Sequence, residues 1–152
     1  MENFVNENQS VHERNRMILK DIEGEVVKHI SLHVEPPEIH TAFLHFEGFV
    51  LEVYCSIGSD LLTLEIAPRI QDEIVTIAYE PLHIFEGRQI IQARTIGEPM
   101  NGYGFELSFK GMLDRTLLLQ SVYAGHKPDG YEDCLRIGIG HYSFHIDGSA
   151  AH

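Results

Sequence analysis

The sequence predicts a mainly β (α+β) chain: a short N-terminal helix, then two duplicated antiparallel β-meander units forming a sandwich or a curved sheet. Three observations predict it. Alternation of apolar and polar residues with a period of two takes over after Gly24 and recurs to His145. Thirteen glycines spread over 152 residues cut that alternation into short runs. An offset of 63 residues carries Glu23-Gly24 onto Glu86-Gly87 and much of the following pattern with it.

The helix comes first. Residues 1–9 are polar and are expected to fray. Ser10-Val11-His12-Glu13 fits a capping box, in which the serine caps and the glutamate three residues later reaches back. Val11, Met17 and Ile18, with Leu19 or Ile22, form an apolar face over a helix at 10–21, and Gly24 ends it. From there Val26, Lys28, Ile30, Leu32 and Val34 alternate with Val27, His29, Ser31 and His33, until Pro36-Pro37 stops the strand. Ala42, Leu44 and Phe46 mark the next strand. Glu47-Gly48 turns it, and Phe49, Leu51, Val53 and Cys55 resume the pattern. Gly58-Ser59-Asp60 reads as a turn before Leu62, Leu64 and Ile66, and Asp72–Tyr79 as a linking strand.

The same programme then repeats. At the offset of 63, Glu35-Pro36 falls on Glu98-Pro99, and Leu44, Phe46 and Gly48 fall on Leu107, Phe109 and Gly111, giving seven identities over 22–50 where chance supplies about two. LLTLEI at 61–66 matches CLRIGI at 134–139 only after an insertion near 124–133. We read one domain over 1–152, with β unit one at 22–80 and β unit two at 84–146. Gly102-Tyr103-Gly104 is expected to be a turn before the strand Phe105–Phe109.

HISLH at 29–33 and HYSFH at 141–145 have the same spacing. On a strand, four residues span about 13 Å at roughly 3.3 Å each. Zinc ligands must each lie about 2 Å from the metal. Neither pair can therefore chelate alone, and both stretches read as polar faces of half-buried strands. His29, His33, His141 and His145 could meet only if the two strands were neighbours, giving a metal site or a pH-sensitive cluster. His40 and His45, five apart, are expected on opposite faces. No metal and no cofactor is predicted.

Charge narrows the partners. The chain carries 23 Asp plus Glu against 11 Lys plus Arg, a formal net charge of −12. Phosphate backbones and anionic membranes would repel it, so neither is an expected partner, whereas a basic protein is. Residues 1–16 have no basic segment followed by an apolar one, so no secretory signal is expected and the cytoplasm is the expected compartment. Cys55 and Cys134 read as buried free thiols. No G-x-S-x-G, C-x-x-C, H-E-x-x-H or Walker A pattern occurs, and no catalytic residue is assigned.

The inserted loop is the main asymmetry between the units. His126, Asp129, Tyr131, Glu132 and Asp133 surround a Pro-Asp-Gly turn, placing acids and an aromatic anchor on a rigid scaffold. These five are the candidate partner-binding residues. In size, charge and meander pattern the chain resembles the immunity proteins encoded beside bacterial polymorphic and secretion-system toxins. The resemblance implies one-to-one neutralising binding of a cognate, basic toxin and no enzymatic activity. The alternative is a small-ligand or metal-binding β domain, possibly an enzyme, with the outward histidines, Tyr103 and Tyr123 as its candidates.

Overall fold

Helix formation reaches further back than the capping motif implies. In the computed structural model, which describes residues 2–35, 38–55, 62–98, 101–112, 114–123 and 133–141, helix α1 (Glu2–Ile22) contains Ser10 in its interior. Ser10 is therefore not its cap: no Gly or Pro stands at 2–9 to stop propagation. Asn15, Leu19 and Ile22 are the buried stripe, at i, i+4 and i+7, with Val11 and Ile18 packed beside them. Met17 falls off that stripe and is exposed. No helix among the described residues is long and apolar enough to cross a membrane.

Two meanders follow, all of their pairings antiparallel. Unit one holds β1 (Val26–Val27), β2 (His29–Glu35), β3 (Glu38–Phe46), β4 (Phe49–Cys55) and β5 (Leu62–Ala67). The predicted linking strand shrinks to β6 (Ile77–Ala78), followed by a 3-10 helix at Glu80–Phe85. Unit two holds β7 (Arg88–Glu98), β8 (Asn101–Phe109), β9 (Arg115–Tyr123) and β10 (Asp133–His141). The strands form one sheet in the order β1-β7-β8-β9-β10-β3-β2-β6, with β4 on β3 and β5 on β4.

Strand register bears out the duplication residue by residue. His29↔His45, Ile30↔Leu44, Ser31↔Phe43 and Leu32↔Ala42 in β2–β3 recur as Gln92↔Ser108, Ala93↔Leu107, Arg94↔Glu106 and Thr95↔Phe105 in β7–β8, each at the offset of 63. Val53↔Leu64 in β4–β5 recurs as Leu119↔Ile137 in β9–β10. Both first hairpins also carry an irregularity near the strand end, at His33/Val34 and at Ile96/Glu98.

The two units grip each other through the repeated Glu-Gly. Gly24 N–H donates to Ile90 O at 2.7 Å, and Gly87 N–H donates to Val27 O at 2.7 Å. Ala93 N–H donates to Glu23 Oε2 at 2.9 Å, and Ile30 N–H donates to Glu86 Oε2 at 2.9 Å. Each bond becomes its counterpart when the residue numbers of the halves are exchanged. Both glycines sit at positive φ, +95° and +81°, which an L side chain adopts only with strain. Lys28, between β1 and β2, donates its N–H to His45 O where the chain changes from β7 to β3 as neighbour. That change shifts the inward face: Val27, Ile30 and Leu32 are buried and Val26 is exposed, so the single alternation expected across 26–34 does not hold.

One buried apolar cluster runs through both units and the helix, from Leu19 and Ile22 through Ile30, Leu44, Phe46, Leu51 and Leu64 to Phe85, Phe105, Phe109, Leu117 and Leu135. Cys55 packs at its margin. Tyr103 lies in this core at 1% exposure, and Gly104 is mid-strand rather than in a turn: a Cβ there would stand 2.0 Å from Leu119 O. β8 and β9 approach too closely for any side chain at that position.

Two outcomes follow for stability. Truncating Phe109, which is fully buried, to Ala is expected to cost about 3–5 kcal/mol by urea denaturation. Near-wild-type stability would place the core elsewhere. Gly24→Ala and Gly87→Ala should each cost about 1–2 kcal/mol through positive φ, whereas Gly138→Ala, with open space and no positive φ, should be close to neutral. Equal effects at all three would remove the backbone argument.

Candidate functional site: the linker and the histidine face

The linker between the halves extends the sheet of unit one at its β2 edge. β2 pairs with β3 on one side and β6 on the other, with Ser31↔Ala78 and Leu32↔Ile77. His33 Nδ1–H donates to Val75 O at 2.9 Å, and His29 Nδ1–H donates to Glu86 Oε2 at 2.8 Å. Two histidines of HISLH thus bind the chain on either side of β6, at Val75 before it and at Glu86 after the 3-10 helix. Ser31 between them is 2% exposed, so this face is less wet than alternation alone implies.

These histidines find partners within unit one, and β2 is not a neighbour of β10. β3 lies between β2 and β10, and His141 pairs with Arg115 at the far end of β10; His145 lies outside the described residues. Instead the rings of His29 and His45 stand 5.2 Å apart, and those of His33 and His40 5.5 Å apart. His40 is the unpaired residue where the register slips, since His33 faces Thr41 and Val34 faces Ile39. A bulge puts two successive side chains on one face. That brings His40 beside Thr41 (Nδ1 to Oγ1, 2.7 Å) and reverses the parity that would have separated it from His45.

Ser31 Oγ and His45 Nε2 are 2.9 Å apart. Burial, then the charge of His29, lowers the His45 pKa below 6.5, while Glu86 opposes the shift. A serine, two histidines and a glutamate in sequence suggest a nucleophile relay, but Ser31 is 2% exposed and the His29 and His45 rings meet at a tilt of 46°. Among the described residues no group of three or more His, Cys, Asp or Glu could hold a metal ion.

Beyond the histidines the linker presents its own surface. Val75, Ile77 and Tyr79, at alternate positions through and beside β6, are 74%, 51% and 46% exposed. They are three of the seven large apolar side chains left exposed among the described residues, so exposure is concentrated here. Asp72, Glu73 and Glu80 flank them. Arg69 Nη1 pairs with Asp72 at 2.8 Å; Glu73 and Glu80 have no ion-pair partner among the described residues. On the other face of the sheet from Ile77, where Ser31 pairs with Phe43 and Phe43 with Glu52, Glu52 stands opposite Glu65. Burial, with the charge of Glu65, raises the Glu52 pKa. The Tyr54 hydroxyl donates to Glu65 Oε1 at 2.8 Å, and burial with that bond pushes its pKa up to about 12.

A cavity of about 350 Å³ lies between α1 and β7, lined by His12, Arg16, Leu19, Ala93, Arg94 and Thr95. The Arg94 guanidinium is committed to the buried carboxylate of Glu106, which also accepts from the Thr116 hydroxyl at 2.9 Å. Glu23 sits on Ala93 N–H beside it. These carboxylates offset the arginines, so the cavity offers no net cationic site.

Of the loop residues singled out from the sequence, His126, Asp129, Tyr131 and Glu132 lie outside the described residues. Asp133 opens β10 opposite Tyr123, closing the β9–β10 hairpin below the insertion. Tyr103 is a core residue, so it is not a ligand-facing candidate. It donates its hydroxyl proton to His12 Nδ1 (3.0 Å) and accepts from Asn15 Nδ2 (3.4 Å). Comparison with family models, curated proteins and solved structures gives no match to this chain.

His45 sets a pH dependence. A histidine whose folded pKa lies below its unfolded value binds its proton more readily when unfolded. Its contribution is therefore complete above about pH 6.5 and is lost as pH falls through the folded value. Urea denaturation at about pH 7.5 and about pH 5 should show a drop that is smaller in His45→Gln. An equal drop in both proteins would assign the dependence to other groups.

Proposed function

We propose that the chain is a non-catalytic binding protein that neutralises a basic protein partner by direct contact, in the manner of the bacterial toxin-immunity proteins it resembles, in the cytoplasm. The observation that supports this reading best is the linker surface: Val75, Ile77 and Tyr79 exposed at alternate positions, bordered by Glu73 and Glu80. Apolar anchors within a charged rim are the anatomy of a binding surface. The net charge of −12 would steer a basic partner and raise its association rate more than its final affinity. The inserted loop, with Asp129, Tyr131, Glu132, Asp133 and His126, belongs to the same proposal as a second acidic arm.

Affinity capture from the native host at low and high salt tests it, with the bound species identified by mass. One stoichiometric basic protein, partly released by salt, is the expected result. Val75→Asp with Ile77→Asp should abolish retention while stability changes by no more than about 0.5 kcal/mol per exposed site. Asp129→Ala, Glu132→Ala and Asp133→Ala together should weaken retention without unfolding the chain. Retention of no protein, or of the same protein equally by every variant, would overturn the reading.

A further inference from the structure

Resting on that reading, we infer that β6 binds its partner by strand addition, taking an extended segment with alternate apolar side chains and a basic residue toward each end. The backbone directions of the linker carry the inference. Val75 O faces β2, where His33 donates to it, and Ile77 pairs with Leu32 on that same side. In extended chain, successive residues turn their amide and carbonyl groups to opposite edges. Thr76 and Ala78 therefore present theirs to the outer edge, where no described strand pairs with β6. An unpaired strand edge is a template for another chain.

The side chains specify what that chain is. Val75, Ile77 and Tyr79 offer exposed apolar side chains at alternate positions to an incoming strand, which calls for β-branched or aromatic residues at every second position. Glu73 and Glu80 bracket them seven residues apart, one in the turn before this stretch and the other at the start of the 3-10 helix after it. Two basic residues at a similar spacing on the incoming segment would meet them. The same carboxylates disfavour a second copy of this chain. An antiparallel pairing of two β6 strands would bring glutamates toward glutamates, and like charges across strands repel.

The test uses the full-length protein and three synthetic peptides. The first is Lys-Lys-Val-Thr-Val-Thr-Val-Lys-Lys. The second carries N-methyl groups on the backbone nitrogens of its pairing edge, and the third has Glu for every Lys. Fluorescence anisotropy measures affinity, and amide hydrogen exchange is followed at Thr76 and Ala78. The lysine peptide should bind saturably and slow exchange at both amides. The N-methylated and glutamate peptides should bind at least about tenfold more weakly, as should the lysine peptide to Ile77→Asp. Binding without protection of Thr76 and Ala78 would overturn strand addition and leave the basic-partner reading standing. Equal binding of the glutamate peptide would overturn the choice of a basic partner. No binding of any peptide would overturn the docking role of β6, whatever the capture experiment returns.

Discussion

Two carboxylates hold the halves of this molecule together by making the same bond twice. Glu23 accepts from Ala93 N–H and Glu86 accepts from Ile30 N–H, each reaching from the start of one unit to the second strand stretch of the other. Those amides belong to strand edges that have lost their neighbour: β1 has ended on one side, and the linker has turned away on the other. A buried amide without an acceptor is costly, and an ionised acceptor is among the strongest available. The glycine after each glutamate lets the chain turn at positive φ and donate back to the partner unit. The β1–β7 pairing, the change of partner at Lys28 and the shared core between the units all follow from this arrangement.

Symmetry ends at the edges, and the edges decide where function can reside. The free side of β5 is closed by a side chain: Asn15 Nδ2–H donates to Leu62 O at 2.8 Å, and its Oδ1 accepts from Leu64 N–H at 3.1 Å. One amide group of α1 thus replaces the two backbone bonds of a neighbouring strand. Among the described residues β6 has no such cover. The outer faces differ as well. Where unit one sets Ser31 and Phe43 side by side, unit two sets Arg94 against a buried Glu106. Unit two has turned that face into an internal ion pair, whereas unit one carries the linker along the edge beside it.

Much of this architecture was legible in sequence. The period-two runs located most of the strands, and the matches at Glu-Gly, Glu-Pro and L-x-F-x-G located the repeat, because those residues occupy turns and clasp positions that alternation does not demand. The helix start was not legible, since a capping box is a local pattern and Ser10 is equally able to sit inside a helix. The inward face of 26–34 was misread because a change of strand partner at Lys28 leaves no mark in composition. The histidine pairing was hidden for a similar reason: a bulge at His40 inverts parity, and parity was the only guide to which face it occupies. The β6 surface was visible as a strand-like stretch, but its exposure depends on its being an edge, which only topology reveals.

The reciprocal clasp has a consequence for how the molecule responds to dilution. Equivalent residues bonding to one another is the geometry of an isologous contact, the kind made by two identical subunits about a twofold axis. Here the two participants are joined by the chain from Pro68 to Phe85. A tether of that length keeps one half at a high effective concentration near the other, so their association is intramolecular and insensitive to protein concentration. The linker that carries β6 is therefore also the segment that makes this pair of halves a monomolecular assembly. Cutting it would turn a folding equilibrium into a binding equilibrium.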